Sequence, residues 1–377
     1  MSRLEIVPVE RRSDLDAFID LPWKIYADHP NWVPPLKKVV RHMLDVSEHP
    51  YWEFSRRMLF LARRGSETVG RIAAIVDDNF NRYHGTGMGS WGFFECIDDK
   101  EVAGELFSAA EEWVSDQGMT YLSGPFNPST NYEVGLLVEG FEHRATFMMP
   151  YNPPYYLELV EACGFRKEKD LLSFLVDRSS KPPEWMASLA ERYKADGKFT
   201  IRRADLNQAE AEIGLVRQIY EEAWSENWGF VPMTDGEVVE MAKELKAIAD
   251  PDLIYFVCAG EEPVAVGLLV PDVNPLLKRL NGKIGILGLI KYLLYRKEIE
   301  GVRGLLFGVK KQYREKGIAF VAMDYTYRLL VSKPEYKYFE MGWNLEDNYA
   351  INQLDEEYGA KLFKRYRILR KNFAHSW

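Results

Sequence analysis

Short apolar runs of strand length alternate along this chain with longer amphipathic stretches, and the same order occurs twice. Leu4 to Val9 opens the first series as a strand. Phe60-Leu61-Ala62-Arg63-Arg64-Gly65 and Val69 to Val76 read as two arms of a hairpin that turns near Gly65-Ser66. Gly89 to Ile97 reads as a further strand, Val102 to Gln117 as a helix, and Thr120-Tyr121-Leu122 as an extended run. Cys163-Gly164-Phe165 ends a helix-like segment and opens a last strand. The second series runs from Phe199 to Arg203, through Phe256-Val257-Cys258-Ala259-Gly260 and Val264 to Val270, to the short run Leu305 to Gly308, expected to be buried. A helix over Phe320 to Leu330, the extended run Tyr338 to Met341, and Tyr358-Gly359-Ala360 complete it.

The offsets agree: Phe60 matches Phe256 and Gly164 matches Gly359, at 196 and 195 residues (256 − 60 and 359 − 164). Phe126-Asn127 likewise matches Trp343-Asn344. The pattern predicts a duplicated α+β protein with domains at 1–178 and 184–377. The polar, proline-rich stretch Asp177-Arg178-Ser179-Ser180-Lys181-Pro182-Pro183 is the linker. Each half carries an insertion, 132–150 in the first and 271–300 in the second. With 377 residues, two cores are expected.

One turn has no counterpart in the first half. Val309-Lys310-Lys311-Gln312-Tyr313-Arg314-Glu315-Lys316-Gly317-Ile318-Ala319 joins the run at Leu305 to the helix at Phe320. A strand, a basic turn with a glycine, then a helix start is suited to a diphosphate. The helix N-terminus offers unpaired N–H groups and partial positive charge, Gly317 permits close backbone approach, and Arg314 and Lys316 add charge.

At this turn the chain resembles the GNAT superfamily of acyl-CoA-dependent N-acyltransferases. That family's signature is Gln or Arg, two residues, Gly, one residue, then Gly or Ala, and here it stands as Arg314-Glu315-Lys316-Gly317-Ile318-Ala319. The family also often places a Gly eleven residues after an Asn across its last helix, as Gly359 stands after Asn348. The whole chain further resembles a group of tandem GNAT-like bacterial proteins. The resemblance implies, in each domain, a mixed, mostly antiparallel sheet flanked by helices. It implies acetyl-CoA or another acyl-CoA as cofactor. Phe307, Gly308 and Val309 would hold the pantetheine arm, Arg314, Glu315, Lys316, Gly317, Ile318 and Ala319 the diphosphate, and Asn348 the pantetheine region or its turn. The implied reaction moves an acetyl or longer acyl group to an amine of a small molecule or peptide.

One position departs from the family. Many members place a Tyr four residues before the Gly, as the acid for the departing thiolate, and here that residue is Asp355. A carboxylate serves there only if its pKa is raised. Tyr358 is the nearby tyrosine taken as a catalytic candidate, and Glu340 is the candidate base. A structural glutamate is the competing reading at Glu340.

In the first half, Asp98 and Glu101 read as a capping box that fills the helix N-terminus with negative charge, so this half is expected not to bind CoA. Asn127, Asn131 and Glu133, on a proline-stiffened loop with Ser129, are candidate acceptor contacts, as is Asn344 in the second half. A self-capped turn is the other reading of that loop. Trp224, Trp228 and Phe230 are expected on a loop, where they either line the acceptor pocket or cover the sheet. The acceptor is expected between the domains.

Composition narrows the classes. Aromatic residues reach 14%, which excludes a disordered chain. With 48 Lys plus Arg against 57 Asp plus Glu, the net charge is −9, which argues against a nucleic-acid partner. Cys96, Cys163 and Cys258 form no CxxC pair, and the histidines, His375 included, show no HExxH spacing, so no metal is expected. Met1 to Glu5 lacks a signal-like apolar core, and no window reaches the roughly 18 apolar residues of a membrane span. A cytoplasmic protein without stable membrane insertion is expected, with a homodimer through an exposed C-terminal strand as an option. The run Ile284 to Ile290, with Tyr292 to Tyr295, reads as a core-packed helix, an acyl-chain wall, or an interfacial helix flanked by Lys283, Lys291, Arg296 and Lys297. Two other functions stay open: a CoA- or ligand-sensing module without turnover, and a tRNA-dependent aminoacyl transferase of tandem GNAT fold.

Overall fold

The computed structural model describes residues 3–285 and 288–373. Met1 and Ser2 of the leader reading, Ile286 and Leu287 of the apolar run, and His375 lie outside the described residues. Two compact units divide the chain. The first comprises Met1–Leu171, Leu277–Lys291 and Lys364–Trp377, and the second Leu172–Leu276 and Tyr292–Phe363.

The elements run in chain order as β1 (Leu4–Pro8), α1 (Arg12–Ile25), α2 (Lys37–Met43), β2 (Ser55–Arg64), β3 (Glu67–Asp77), α3 (Asp78–His84), β4 (Met88–Cys96), α4 (Lys100–Asp116) and β5 (Tyr121–Gly124). The short strands β6 (Phe126–Asn127), β7 (Glu133–Val134) and β8 (Leu136–Glu139) follow, then α5 (Tyr156–Ala162) and β9 (Arg166–Asp177). The second series is α6 (Glu184–Ala195), β10 (Thr200–Arg203), α7 (Ala209–Trp224), α8 (Asp235–Lys246), β11 (Ile254–Ala259) and β12 (Glu262–Pro271). It continues with α9 (Asn274–Leu280), α10 (Gly288–Tyr295), β13 (Gly301–Val309), α11 (Ile318–Ser332), β14 (Tyr338–Leu345), α12 (Tyr349–Glu357) and β15 (Lys361–Asn372).

In the first unit β1, β2, β3 and β4 pair antiparallel, β4 and β5 pair parallel, and Leu369–Asn372 of β15 pair antiparallel with β5. Helix α4 presents Val102, Leu106, Ala110 and Val114 at helical spacing to this sheet, where they join Trp91, Phe107 and Phe165 in the core. In the second unit β10, β11, β12 and β13 pair antiparallel, and β14 runs parallel to β13. Helix α11 buries Ile318, Val321, Ala322, Leu329 and Leu330 among Leu253, Tyr255 and Val264. Each unit is thus a mostly antiparallel sheet flanked by helices.

The repeat extends to register. Met88–Ser90 pair with Tyr121–Ser123, and Gly301–Arg303 pair with Tyr338–Glu340. In both units the parallel pairing stops after three residue pairs, while β4 and β13 continue to Cys96 and Val309. This explains one difference from the sequence reading. Gly304 to Phe307 are half-buried rather than buried, because no strand pairs with that edge of β13 among the described residues.

The insertion in the second half folds as α9 and α10. The segment after α9 is tied within the first unit by Trp23 Nε1, which donates to Asn281 Oδ1 at 2.8 Å, and by Lys37 N, which donates to Gly282 O at 3.0 Å. No helix among the described residues is long and apolar enough to cross a membrane.

Candidate active site

The chemistry of the second unit gathers where β13 parts from β14. Beyond Arg303 and Glu340 the edge of β13 from Gly304 to Val309 pairs with no strand among the described residues, and it leads into the basic turn. In the turn Glu315 (φ 63°) and Gly317 (φ 87°) are both left-handed. Gly317 is the N-cap of α11, and as a glycine it supplies no capping side chain. The first N–H groups of a helix have no acceptor within it. The start of α11 therefore keeps its donors and its dipole for an anion. These residues fit a CoA diphosphate. A Cβ at Gly317 would also lie 2.2 Å from the Tyr193 ring of α6, so glycine is required there for two reasons.

Side chains hold the turn in place. Arg314 donates to the carbonyl of Ala223 at the end of α7, and Lys311 N donates to Glu222 at 3.1 Å. Lys311 Nζ pairs with Glu226 at 2.8 Å, and Lys310, almost fully buried, pairs with Glu262 at 2.8 Å. Tyr313 donates to the same carboxylate at 3.0 Å. Lys316 is exposed, its Nζ 4.8 Å from the Tyr313 ring centre. Trp224 is the last residue of α7 rather than a loop residue. Its ring lies where a Cβ on Gly308 would meet it at 2.3 Å, so a predicted acceptor residue and a predicted cofactor residue are neighbours. Tyr220 links Trp224 to buried Phe230, with ring centres 5.4 and 5.2 Å apart. Trp228 is half-buried in the connection that follows.

At the fork itself Glu340 is fully buried and accepts from Ser173 Oγ at 2.5 Å. Further along β14, Asn344 Nδ2 donates to Asp355 Oδ2 of α12 at 2.8 Å. Asp355 is 3% exposed, and burial pushes its carboxyl up to about 7, against the opposing effect of the Asn344 hydrogen bond. Tyr358 is committed elsewhere. Its hydroxyl donates to Met323 O at 2.6 Å, and burial raises its pKa far above that of a free tyrosine. Asn348 is the exposed N-cap of α12, and its side chain does not cap the helix.

The equivalent fork in the first unit is closed by its own chain. Asn127, the counterpart of Asn344, accepts at Oδ1 from Phe93 N on β4 at 2.7 Å. The carbonyl of Phe126 lies where a Cβ on Gly92 would be, 1.7 Å away. Glu133 pairs with Asn127 across β6 and β7, and burial raises its pKa. Asn131 N donates to Ser129 Oγ at 3.3 Å. These contacts are those of a self-capped turn. The helix end is closed too, but by a different residue than expected. Asp99, not Asp98, is the N-cap of α4 and accepts from Glu101 N and Val102 N. Glu101 reaches Arg64 at 2.9 Å instead of folding back as a capping box, because Arg64 also holds Asp99 at 2.8 Å.

The sequence reading missed Ser173, Tyr193 and the buried environment of Asp355. The first two are brought in by β9 and α6 from distant sequence, and no local pattern marks them. Asp355 was noticed only as a departure, since its environment comes from folding. Among the described residues no group of three or more His, Cys, Asp or Glu side chains is placed to hold a metal.

Comparison with known proteins agrees with this architecture. A tandem GNAT protein from the clavulanic acid biosynthesis pathway superposes with a TM-score of 0.57 over 100% of both chains, at 12% identity. A GCN5-related N-acetyltransferase from Sphaerobacter thermophilus gives 0.55 over 98% of this chain and 95% of that one, at 13% identity. The chain has the fold of these GNAT proteins. Within that fold, the chain belongs with a family of full-length relatives. It is 34% identical over 376 residues to the bacterial ceramide synthase of Caulobacter vibrioides, covering 98% of this chain and 97% of the relative. It is 33% identical over 371 residues to protein YghO of Escherichia coli, covering 96% and 93%. No protein-family model matches the chain.

Proposed function

We propose that this protein is an acyl-CoA-dependent N-acyltransferase whose acceptor is a long-chain amino lipid of the sphingoid-base kind. The observation that carries the acyl-CoA reading is the uncapped start of α11 at the end of the unpaired β13 edge. The acceptor class rests on the name of the Caulobacter relative, which is similar over nearly the whole chain.

Acyl-CoA supplies the acyl group as an activated thioester. In this reading the N–H groups at Gly317, Ile318 and Ala319 bind its diphosphate, with Arg314, Glu315 and Lys316 forming the turn. Phe307, Gly308 and Val309 offer backbone to the pantetheine arm, and Asn348 stands beside its path. Amide formation needs a proton removed from the amine and one delivered to the leaving sulfur. Asp355 holds its proton to about pH 7 and is the donor, with Asn344 fixing its orientation. Glu340, through Ser173, is the proton acceptor at the fork. Tyr358 positions α12 through Met323 rather than moving a proton. Trp224 and Trp228 border the cofactor path, while Asn127, Asn131 and Glu133 serve their own unit's fold.

The test is a matrix of acetyl-, octanoyl- and palmitoyl-CoA against a sphingoid base, a polyamine and a peptide amine, reading free thiol and the mass of the amide. The expected positive is a long-chain acyl-CoA with the sphingoid base. Thiol release only with the peptide or polyamine overturns the acceptor, and no CoA binding at all overturns the cofactor.

A further inference from the structure

Helix α10 leaves apolar side chains in water that a soluble helix ordinarily buries. Ile290, Tyr292, Leu293 and Leu294 are 52%, 44%, 55% and 66% exposed, and Ile284 just before the helix is 67% exposed. Ile290, Leu293 and Leu294 are three and four residues apart, so they form one stripe on one face. Singly exposed apolar residues are ordinary, but a continuous exposed stripe marks a surface that something covers.

The charge around the stripe says what covers it. In sequence Lys278, Arg279, Lys283 and Lys291 precede or interrupt it and Arg296 and Lys297 follow it, with no Asp or Glu between Asp272 and Glu298. This is a local cationic block in a chain of net charge −9. Lys283, Arg296 and Lys297 are exposed at the two ends of the stripe. A short apolar stripe with cations at both ends matches the headgroup boundary of an anionic bilayer, where apolar side chains enter and basic ones meet phosphate. A second copy of the chain would bring the same cations face to face.

We infer that α10 docks this protein on the surface of an anionic membrane, lying in the interface without crossing it. The inference is independent of which acceptor the enzyme uses. Docking would place the protein where long-chain amines reside.

The full chain is floated with vesicles of phosphatidylcholine alone and of phosphatidylcholine with phosphatidylglycerol, without acyl-CoA or acceptor. Binding is expected on the anionic vesicles, weak on the neutral ones, and reduced by salt. Leu293→Glu with Leu294→Glu should lower binding at least about tenfold with the melting temperature unchanged, since both side chains are exposed. Replacing Lys283, Arg296 and Lys297 by Ala should weaken binding about fivefold per residue. Absence of binding to anionic vesicles overturns the inference, as does binding that the leucine variants leave intact. Concentration-dependent self-association in the ultracentrifuge, abolished by the leucine variants while vesicles are ignored, assigns the stripe to a second copy and likewise overturns it. None of these outcomes bears on acyl transfer, which the amide assay reads separately.

Discussion

The amide of Asn344 on β14 donates to the buried carboxyl of Asp355 on α12 at 2.8 Å, four residues before Gly359. This pair makes a pH prediction with a definite sign. The folded carboxyl keeps its proton up to about pH 7, whereas its reference value is 3.8. Between those values the folded state binds more protons than the unfolded one, so stability falls as pH rises through the window. Between pH 5 and pH 8 the expected loss is on the order of 3 kcal/mol. Asp355→Asn should remove that slope, measured by urea unfolding at pH 5 and pH 8. An unchanged slope would show that Asp355 ionises normally.

In the proposed reaction the same pair would set the alkaline limb of turnover. If Asp355 delivers the proton to sulfur, activity declines above about pH 7. Asn344→Ala removes a bond that favours the carboxylate and should move that limb upward. Asp355→Asn should lower kcat roughly a hundredfold or more with KM for acyl-CoA nearly unchanged, and Asp355→Tyr should recover part of it. A limb that does not move in Asn344→Ala assigns it to another group.

Gly308 and Trp224 should be energetically coupled. A methyl on Gly308 meets the indole, so Gly308→Ala alone should cost about 1–3 kcal/mol. In a Trp224→Ala background the same change should cost less than about 1 kcal/mol. Equal costs in both backgrounds would place the indole away from β13.

The two helix starts should respond differently. Asp99→Ala removes the N-cap of α4 and should destabilise the first unit by about 0.5–2 kcal/mol without changing acyl-CoA affinity. Loss of affinity in this variant would bring the cofactor to the first unit.

Much of this architecture was legible in the order of apolar runs. Phe60 and Phe256 fall in hairpin arms, and Gly317 caps α11 as the signature implies. Periodicity could not show that Leu305 to Phe307 face an open edge, because a half-exposed strand and a buried one share the same short apolar run. Nor could it show that residues 277–291 and 364–377 join the first unit. Contacts between distant segments decide that, and they leave no local pattern. Asp355 carried a signal only as an exception to a motif. The raised pKa that makes it useful arises from burial, which exists only in the folded chain. Asp99 rather than Asp98 is the N-cap, and its partner Arg64 comes from β2, distant in sequence.

One acyl-CoA is expected to bind per chain, at the start of α11. Calorimetric titration of the full chain with a non-reactive palmitoyl-CoA analogue tests it most directly, run beside Gly317→Glu and Asp99→Ala. Since Gly317→Glu also crowds Tyr193, its folding is checked by circular dichroism, and Arg314→Ala with Lys316→Ala serves as a milder variant. The account predicts one site per chain, lost in Gly317→Glu, weakened in the double alanine variant and kept in Asp99→Ala. Two sites, or a single site that survives in a folded Gly317→Glu, would contradict it.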